Sequence, residues 1–189
     1  SKKIKSFFET NHIDILVNNT QGPAAGGALE KSIDDYQSAF DLLFKCAIKT
    51  SLLALSSMKD KKWGRIINVA SISVKEPLNY LVLSNSLRSA LVTWSKTLSV
   101  DIAKFNITIN NVLTGYFNTE RLKQLNSKKA EKLGMKISKI EDTIKETIPM
   151  KRFGKPEEYA NLVCFLASNK SDYITGTNIP IDGGYMKSL

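Results

Sequence analysis

"GRIINVAS", residues 64–71, decides the architecture. Its isoleucines and valine follow one another with only Asn68 between them, and it closes on a small residue and a hydroxyl, Ala70 and Ser71. Such a run reads as a buried β-strand. Upstream, "IDILVNN" (13–19) is another apolar run ended by polar residues, predicted to be buried on both faces. Between the two lie a Gly/Pro loop, "TQGPAAGGA" (20–28), and a long amphipathic stretch, 32–60. Ser32 is a good helix cap, and Asp34 and Asp35 suit a helix N-terminus. Apolar residues at 33, 36, 40, 43, 44, 47, 48 and 52 recur at helical spacing.

Downstream the alternation continues. Positions 87, 91, 94, 98 and 102 mark a helix over 84–104, "ITINNVL" (107–113) a third strand, and Gly115 a turn. Residues 119–147 read as polar helix broken by Gly134. "KPEEYANLVCFLAS" (155–168) has proline in a first turn, acids behind it and an apolar stripe, so it is a helix. "TNIPIDGG" (177–184) supplies a short last strand. Strands alternating with helices predict an α/β fold, an open parallel sheet with helices on both faces. Ligands of such sheets bind outside the carboxyl ends of the strands. Those ends are "NNTQG" (18–22), "VASIS" (69–73) and "LTGYFNT" (113–119), which together form the predicted site.

Composition narrows the function. The 189 residues are 42% hydrophobic, enough for one domain with a real core. No apolar run is long enough to cross a bilayer, and the first residues carry no signal-peptide core. Cys46 and Cys164 form neither a disulfide framework nor a metal-ligand spacing, so two reduced thiols, a cytoplasmic setting and no metal are expected. The net charge of +9 is spread along the chain without interleaved aromatics. It reads as a solvated surface rather than a nucleic-acid footprint, and it can concentrate a phosphorylated ligand.

The three loops, in this order, resemble those of the short-chain dehydrogenase/reductase family. "DILVNNTQG" (14–22) is similar to its Asn-Asn-Ala-Gly strand end, "GRIINVASIS" (64–73) to the strand that delivers its catalytic serine, and "LTGYFNT" to its Pro-Gly loop. "IPMKRFGKPEEYANLVCFLASNKSDYITGTNIPIDGG" (148–184) follows the family's C-terminal segment almost position by position, most like the 3-oxoacyl-(acyl-carrier-protein) reductase branch. The resemblance covers the whole chain. It implies a Rossmann-like doubly wound parallel sheet, NAD or NADP as cofactor, and a small-molecule carbonyl or alcohol substrate. It also implies a homodimer or homotetramer, and a mobile substrate lid over 119–147. The family's first three strands and its glycine-rich phosphate turn have no counterpart here, so a fragment or incomplete chain is expected.

The family's catalytic Asn, Ser, Tyr and Lys fall on Leu43, Ser71, Ser84 and Arg88. Only the serine is retained. In the family the lysine lowers the tyrosine's pKa from about 10 toward neutrality. An alkyl hydroxyl at 84 is a much poorer acid than a phenol, and Arg88 keeps its proton near neutral pH. Positions 84 and 88 are one helical turn apart and face one cleft. The expected catalytic set is therefore Ser71, Ser84 and Arg88. The expected cofactor set is Asn19, Thr20, Gly22, Arg88, Thr114, Gly115, Phe117 and Thr119. Tyr80 and Tyr116 can supply a phenol only if their loops bend inward, and packing is the plainer reading of both. Lys75 reads as a solvated charge and His12 as surface, while Glu76 and Asp182 have no carboxylate partner in view. Two functions follow: a divergent oxidoreductase with slow or altered turnover, or a non-catalytic protein that binds a nucleotide, small ligand or partner.

Overall fold

The computed structural model describes residues 2–188. The run GRIINVAS forms the strand β2, Gly64–Ser71. Its neighbours are β1, Ile15–Asn18, and β3, Ile107–Thr114, and β4, Asn178–Ile181, follows β3. All pairings are parallel, in the order β1-β2-β3-β4. The helices are α1 (Lys2–Thr10), α2 (Ile33–Ala39), α3 (Cys46–Lys61), α4 (Val82–Ile102), α5 (Glu120–Leu133), α6 (Ile137–Thr147) and α7 (Pro156–Leu166).

Alternation along β2 sorts the core onto two faces. Ile66 meets Ala54, Leu55 and Met58 of α3 and Ile102 of α4, together with Ile107 and Ile109 of β3. Ile67 turns the other way, to Val112 of β3 and Leu166 of α7. Helices therefore cover both faces, as expected. Across the sheet runs a chain of amides. Asn18 donates to Asn68 at 2.8 Å, Asn68 to Asn111 at 2.9 Å, and Asn111 to Asn178 at 2.8 Å. Each donor and acceptor are register partners, one on every strand. Ser51 of α3 and Ser95 of α4 close the ladder toward the helices.

Three features differ from the sequence reading. β1 is buried on one face only: Leu16 joins the core, whereas Ile15 and Val17 are exposed. In the described sheet β1 pairs with β2 alone. The helix expected over 32–60 contains a π-helical segment, Phe40–Lys45, between α2 and α3. Its last turn has Cys46 N–H donating to Asp41, a five-residue step that a 3.6-residue periodicity does not reveal. α1 was not anticipated, because its apolar content is small; Phe8 fastens it to the core. Elsewhere the signals hold. Ser32 caps α2 by accepting from Asp35 N–H, Pro156 opens α7, and Gly134 ends α5 in the left-handed conformation. Among the described residues no helix is long and apolar enough to cross a membrane.

Candidate active site

The carboxyl ends of β1, β2 and β3 surround a cavity of about 580 Å³. From β1's loop come Asn19, Thr20 and Gly22; from β2, Ser71; from α4, Ser84 and Arg88; from the end of β3, Thr114, and from the loop after it, Phe117 and Thr119. Gly115 lies outside this lining. Its amide donates to the Ile181 carbonyl at 3.0 Å, and a Cβ there would stand 2.6 Å from Asp182 Cα. Its role in the fold is thus the close approach of the ends of β3 and β4.

Ser71 is extended, with its Oγ accepting the Ser73 amide at 3.1 Å. That bond starts the short turn Ile72–Val74 and leaves the hydroxyl hydrogen for another partner. Ser84 and Arg88 are each 8% exposed. Arg88 donates through Nη1 to the Val69 carbonyl. Burial lowers its pKa to about 10; the neighbouring Tyr159 opposes this and the Arg121 cation adds to it. Arg88 therefore remains charged at neutral pH.

The structure adds two side chains that sequence reasoning missed. Tyr159, on α7, lines the cavity and accepts from Thr114 Oγ1 at 3.1 Å. Burial raises its pKa, opposed by the Thr114 bond and the Arg88 charge. A signal was present, since residue 159 is the one polar-tipped aromatic in the apolar stripe of α7. Arg121, on the first turn of α5, reaches back to the Pro23 carbonyl at 2.6 Å, and its guanidinium lies against Gly22. Burial lowers its pKa as well. Spacing did not predict this contact, because Pro23 and Arg121 are 98 positions apart.

The remaining candidates are elsewhere. Tyr116 faces a separate cavity of about 230 Å³, and its hydroxyl is 3.5 Å from that of Tyr80. Burial, then the Tyr80 and Tyr185 hydroxyls, push its pKa far above the phenol range. Leu43 is buried within the π segment, at 2% exposure. His12 is exposed ahead of β1. Glu76 accepts from the amides of Lys187 and Ser188, and Asp182 from those of Gly184 and Met186, so both carboxylates order the C-terminal segment.

Comparison with known proteins identifies the family and the fold. The family model described as enoyl-(acyl carrier protein) reductase matches residues 3–186. The chain is 36% identical over 188 residues to the NADPH-dependent reductase BacG of Bacillus subtilis strain 168, covering 100% of this chain and 72% of that protein. It is 30% identical over 182 residues to the 3-oxoacyl-(acyl-carrier-protein) reductase FabG of Rickettsia prowazekii strain Madrid E, covering 94% and 69%. Among solved structures, L-sorbose reductase from Gluconobacter frateurii, complexed with NADPH and L-sorbose, is similar with a TM-score of 0.91 at 28% identity, covering 100% of this chain and 74% of that one.

Proposed function

The chain belongs to the short-chain dehydrogenase/reductase family, and from that premise we propose that it interconverts a small carbonyl compound and its alcohol with NAD(P), by slow or altered turnover. One observation carries the reading: Ser71, Ser84 and Arg88 line a single cleft with Asn19, Thr20, Gly22, Thr114, Phe117 and Thr119.

The residues fit the nicotinamide end of such a cofactor. The cavity lies within the usual size range of small-molecule sites. Arg88 is buried against a carbonyl and has no carboxylate partner among the described residues, so its charge is open to a ligand oxygen. Asn19, Thr20 and Gly22 would hold one side of the cofactor, and Thr114, Phe117 and Thr119 the other, with Arg88 between them. When bound, the nicotinamide gives or takes the hydride. The chain's own work is then positioning and charge. Ser71, with its hydroxyl hydrogen uncommitted, donates to the substrate oxygen. Arg88 stabilises negative charge developing on that oxygen but does not release a proton, so the proton that completes the alcohol comes from solvent water. Ser84 is too weak an acid to replace a phenol, and losing a general acid typically removes about 10²–10⁴ in rate.

Residues 119–147, here α5 and α6, are proposed as a mobile lid, supported by Arg121, Gln124 and Leu125 lining the cleft. A homodimer or homotetramer is supported by the exposed Phe40 and Leu52 on the helix running through α3. A cytoplasmic setting is supported by the free thiols Cys46 and Cys164.

The test is NADPH and NADH binding followed by fluorescence, then nucleotide oxidation over a panel of ketones and oxo acids. Binding with slow turnover is the expected result; absence of nucleotide binding overturns the reading. The second reading, a binding protein without turnover, is favoured by Arg88 being engaged with Val69 and by the lack of a phenol at 84. It predicts binding with no oxidation of the nucleotide above background.

A further inference from the structure

Two arginines enter the same cleft from different helices. Arg88 comes from α4 and rests on the carbonyl of Val69, two residues before Ser71. Arg121 comes from the first turn of α5 and rests on the carbonyl of Pro23. Neither is ion-paired with a carboxylate among the described residues, although Lys45, Lys61, Lys123, Lys145, Lys151 and Arg152 all are. No aspartate or glutamate lines the cavity, and much of its remaining wall is apolar, including Leu81, Phe117, Leu125 and Pro156. A cation buried without an anion carries a desolvation cost that backbone carbonyls alone offset only in part. Two in one apolar hollow also repel each other, and the N-terminal end of α5 adds its partial positive charge at Thr119.

We infer that this cleft is built for an anionic substrate, a short oxo acid whose carboxylate lies between Arg121 and Arg88 while its carbonyl faces Ser71. The inference deepens the reductase reading and rests on it for the carbonyl. The carboxylate part rests on the charge pattern alone. A guanidinium is the side chain suited to a carboxylate, because its fork of N–H groups donates to both oxygens at once. Arg121 supplies such a fork on the proposed lid, so ligand charge would hold α5 closed over the cleft. Tyr159, protonated and already accepting from Thr114, has its own O–H to offer the same ligand. A diphosphate could draw on the same cations, and the experiment must separate the two.

The probes are hexanoate and methyl hexanoate, titrated calorimetrically into the full chain with and without NADPH. Hexanoate is expected to bind at least about tenfold more tightly than the ester, and Arg121→Gln to abolish that difference. Equal binding of acid and ester overturns the proposal. NADPH is titrated separately into Arg121→Gln by fluorescence. An unchanged Kd supports a substrate role. A tenfold weaker Kd with the acid–ester preference retained assigns Arg121 to the cofactor phosphates and overturns it. Arg121→Lys, which keeps charge but not the fork, serves if the glutamine variant misfolds, with partial loss of the preference expected. Acid preference without any nucleotide oxidation leaves the anion site standing and removes the reductase reading, so the two fail separately.

Discussion

Thr114 Oγ1 donates to the Tyr159 hydroxyl across 3.1 Å, tying the carboxyl end of β3 to the first turns of α7 at the wall of the cleft. Because Thr114 is the donor, the phenol keeps its own hydrogen for a ligand. Burial raises the phenol's pKa, so it stays protonated throughout the neutral range. Tyr159→Phe removes one neutral hydrogen bond, a net of about 1 kcal/mol. The expected outcome is a five- to tenfold weaker ligand affinity, with the melting temperature lowered by about 2–4 °C because the Thr114 bond is lost as well. The pH profile below 9 should not alter, since the lost group does not titrate there. Ligand titration of the variant at two pH values checks all three.

The asparagine ladder makes a prediction about register. Asn68 is fully buried and bonds Asn18, Asn111 and Ser95. Asn68→Leu leaves several buried polar groups unpaired, each costing about 1–3 kcal/mol. A loss of roughly 3 kcal/mol or more is expected in urea unfolding, with the slope m unchanged. A smaller loss than about 1 kcal/mol would mean that the ladder is incidental to the sheet.

These two residues also mark what the sequence could and could not tell. The strands and most helices were legible because their signals are local: unbroken apolar runs, Ser32 and Pro156 as starts, Gly134 as a stop. The cleft was legible because parallel strands open their carboxyl ends to ligand, which pointed to the loop of Ser71, while Ser84 and Arg88 were pointed to by the spacing of the family that the loops resemble. Asn68 looked like a blemish in an apolar run, since its meaning needs Asn18 and Asn111 beside it. Tyr159 and Arg121 were missed for the same reason. One sat in a packing stripe and the other in a polar helix, and only the tertiary fold turns both into the cleft. Ile15 and Val17 erred in the other direction, because composition does not reveal which strand has a bare side.

Arg88 sets stability against function. Its pKa in the fold is about 10, below the usual 12.5, so burial disfavours the charged form. The sign follows directly: at neutral pH the residue is charged both folded and unfolded, and the fold bears the whole penalty, about 3 kcal/mol. The penalty is relieved only as pH rises above about 10, where the unfolded chain binds more protons. Arg88→Leu removes the charge and forfeits the bond to Val69. A net gain of about 1 kcal/mol at pH 7 is expected, together with loss of nucleotide and hexanoate binding. Chemical denaturation without ligand measures the first and calorimetry the second; destabilisation by more than about 1 kcal/mol would contradict the account.

Glu158 governs the acid side. It accepts from Arg152 at 2.6 and 2.8 Å and from the Lys155 amide at 2.8 Å, where it caps α7. The Arg152 bonds, then the amide, lower its pKa to about 2 from 4.5. Its contribution is therefore complete above pH 4.5 and fades as pH falls toward 2. Because the carboxylate is exposed, the effect is small. Glu158→Gln should lower Tm by no more than a few degrees at pH 7. The two melting curves should converge as pH approaches 2, and a gap that persists there would assign the effect to packing.

The proton donor itself can be put back. In the proposed register Ser84 and Arg88 stand where the family has tyrosine and lysine, and both line the cavity. In Ser84→Tyr with Arg88→Lys, a phenol gains reach into the cleft and a flexible ammonium lowers its pKa. The double variant should oxidise NADPH on a carbonyl panel at least about tenfold faster than the natural chain, given the 10²–10⁴ that a general acid contributes. Arg88→Lys alone should give no gain, because no phenol stands at position 84 to be tuned. Ser84→Tyr alone should give part of it, since an arginine holds positive charge nearby without the lysine's freedom to approach. A pH–rate profile that acquires a new ionisation near neutrality in the double variant identifies the added phenol as the acid. If the rate stays flat while both variants fold and bind NADPH, the cleft does not present position 84 to the substrate carbonyl.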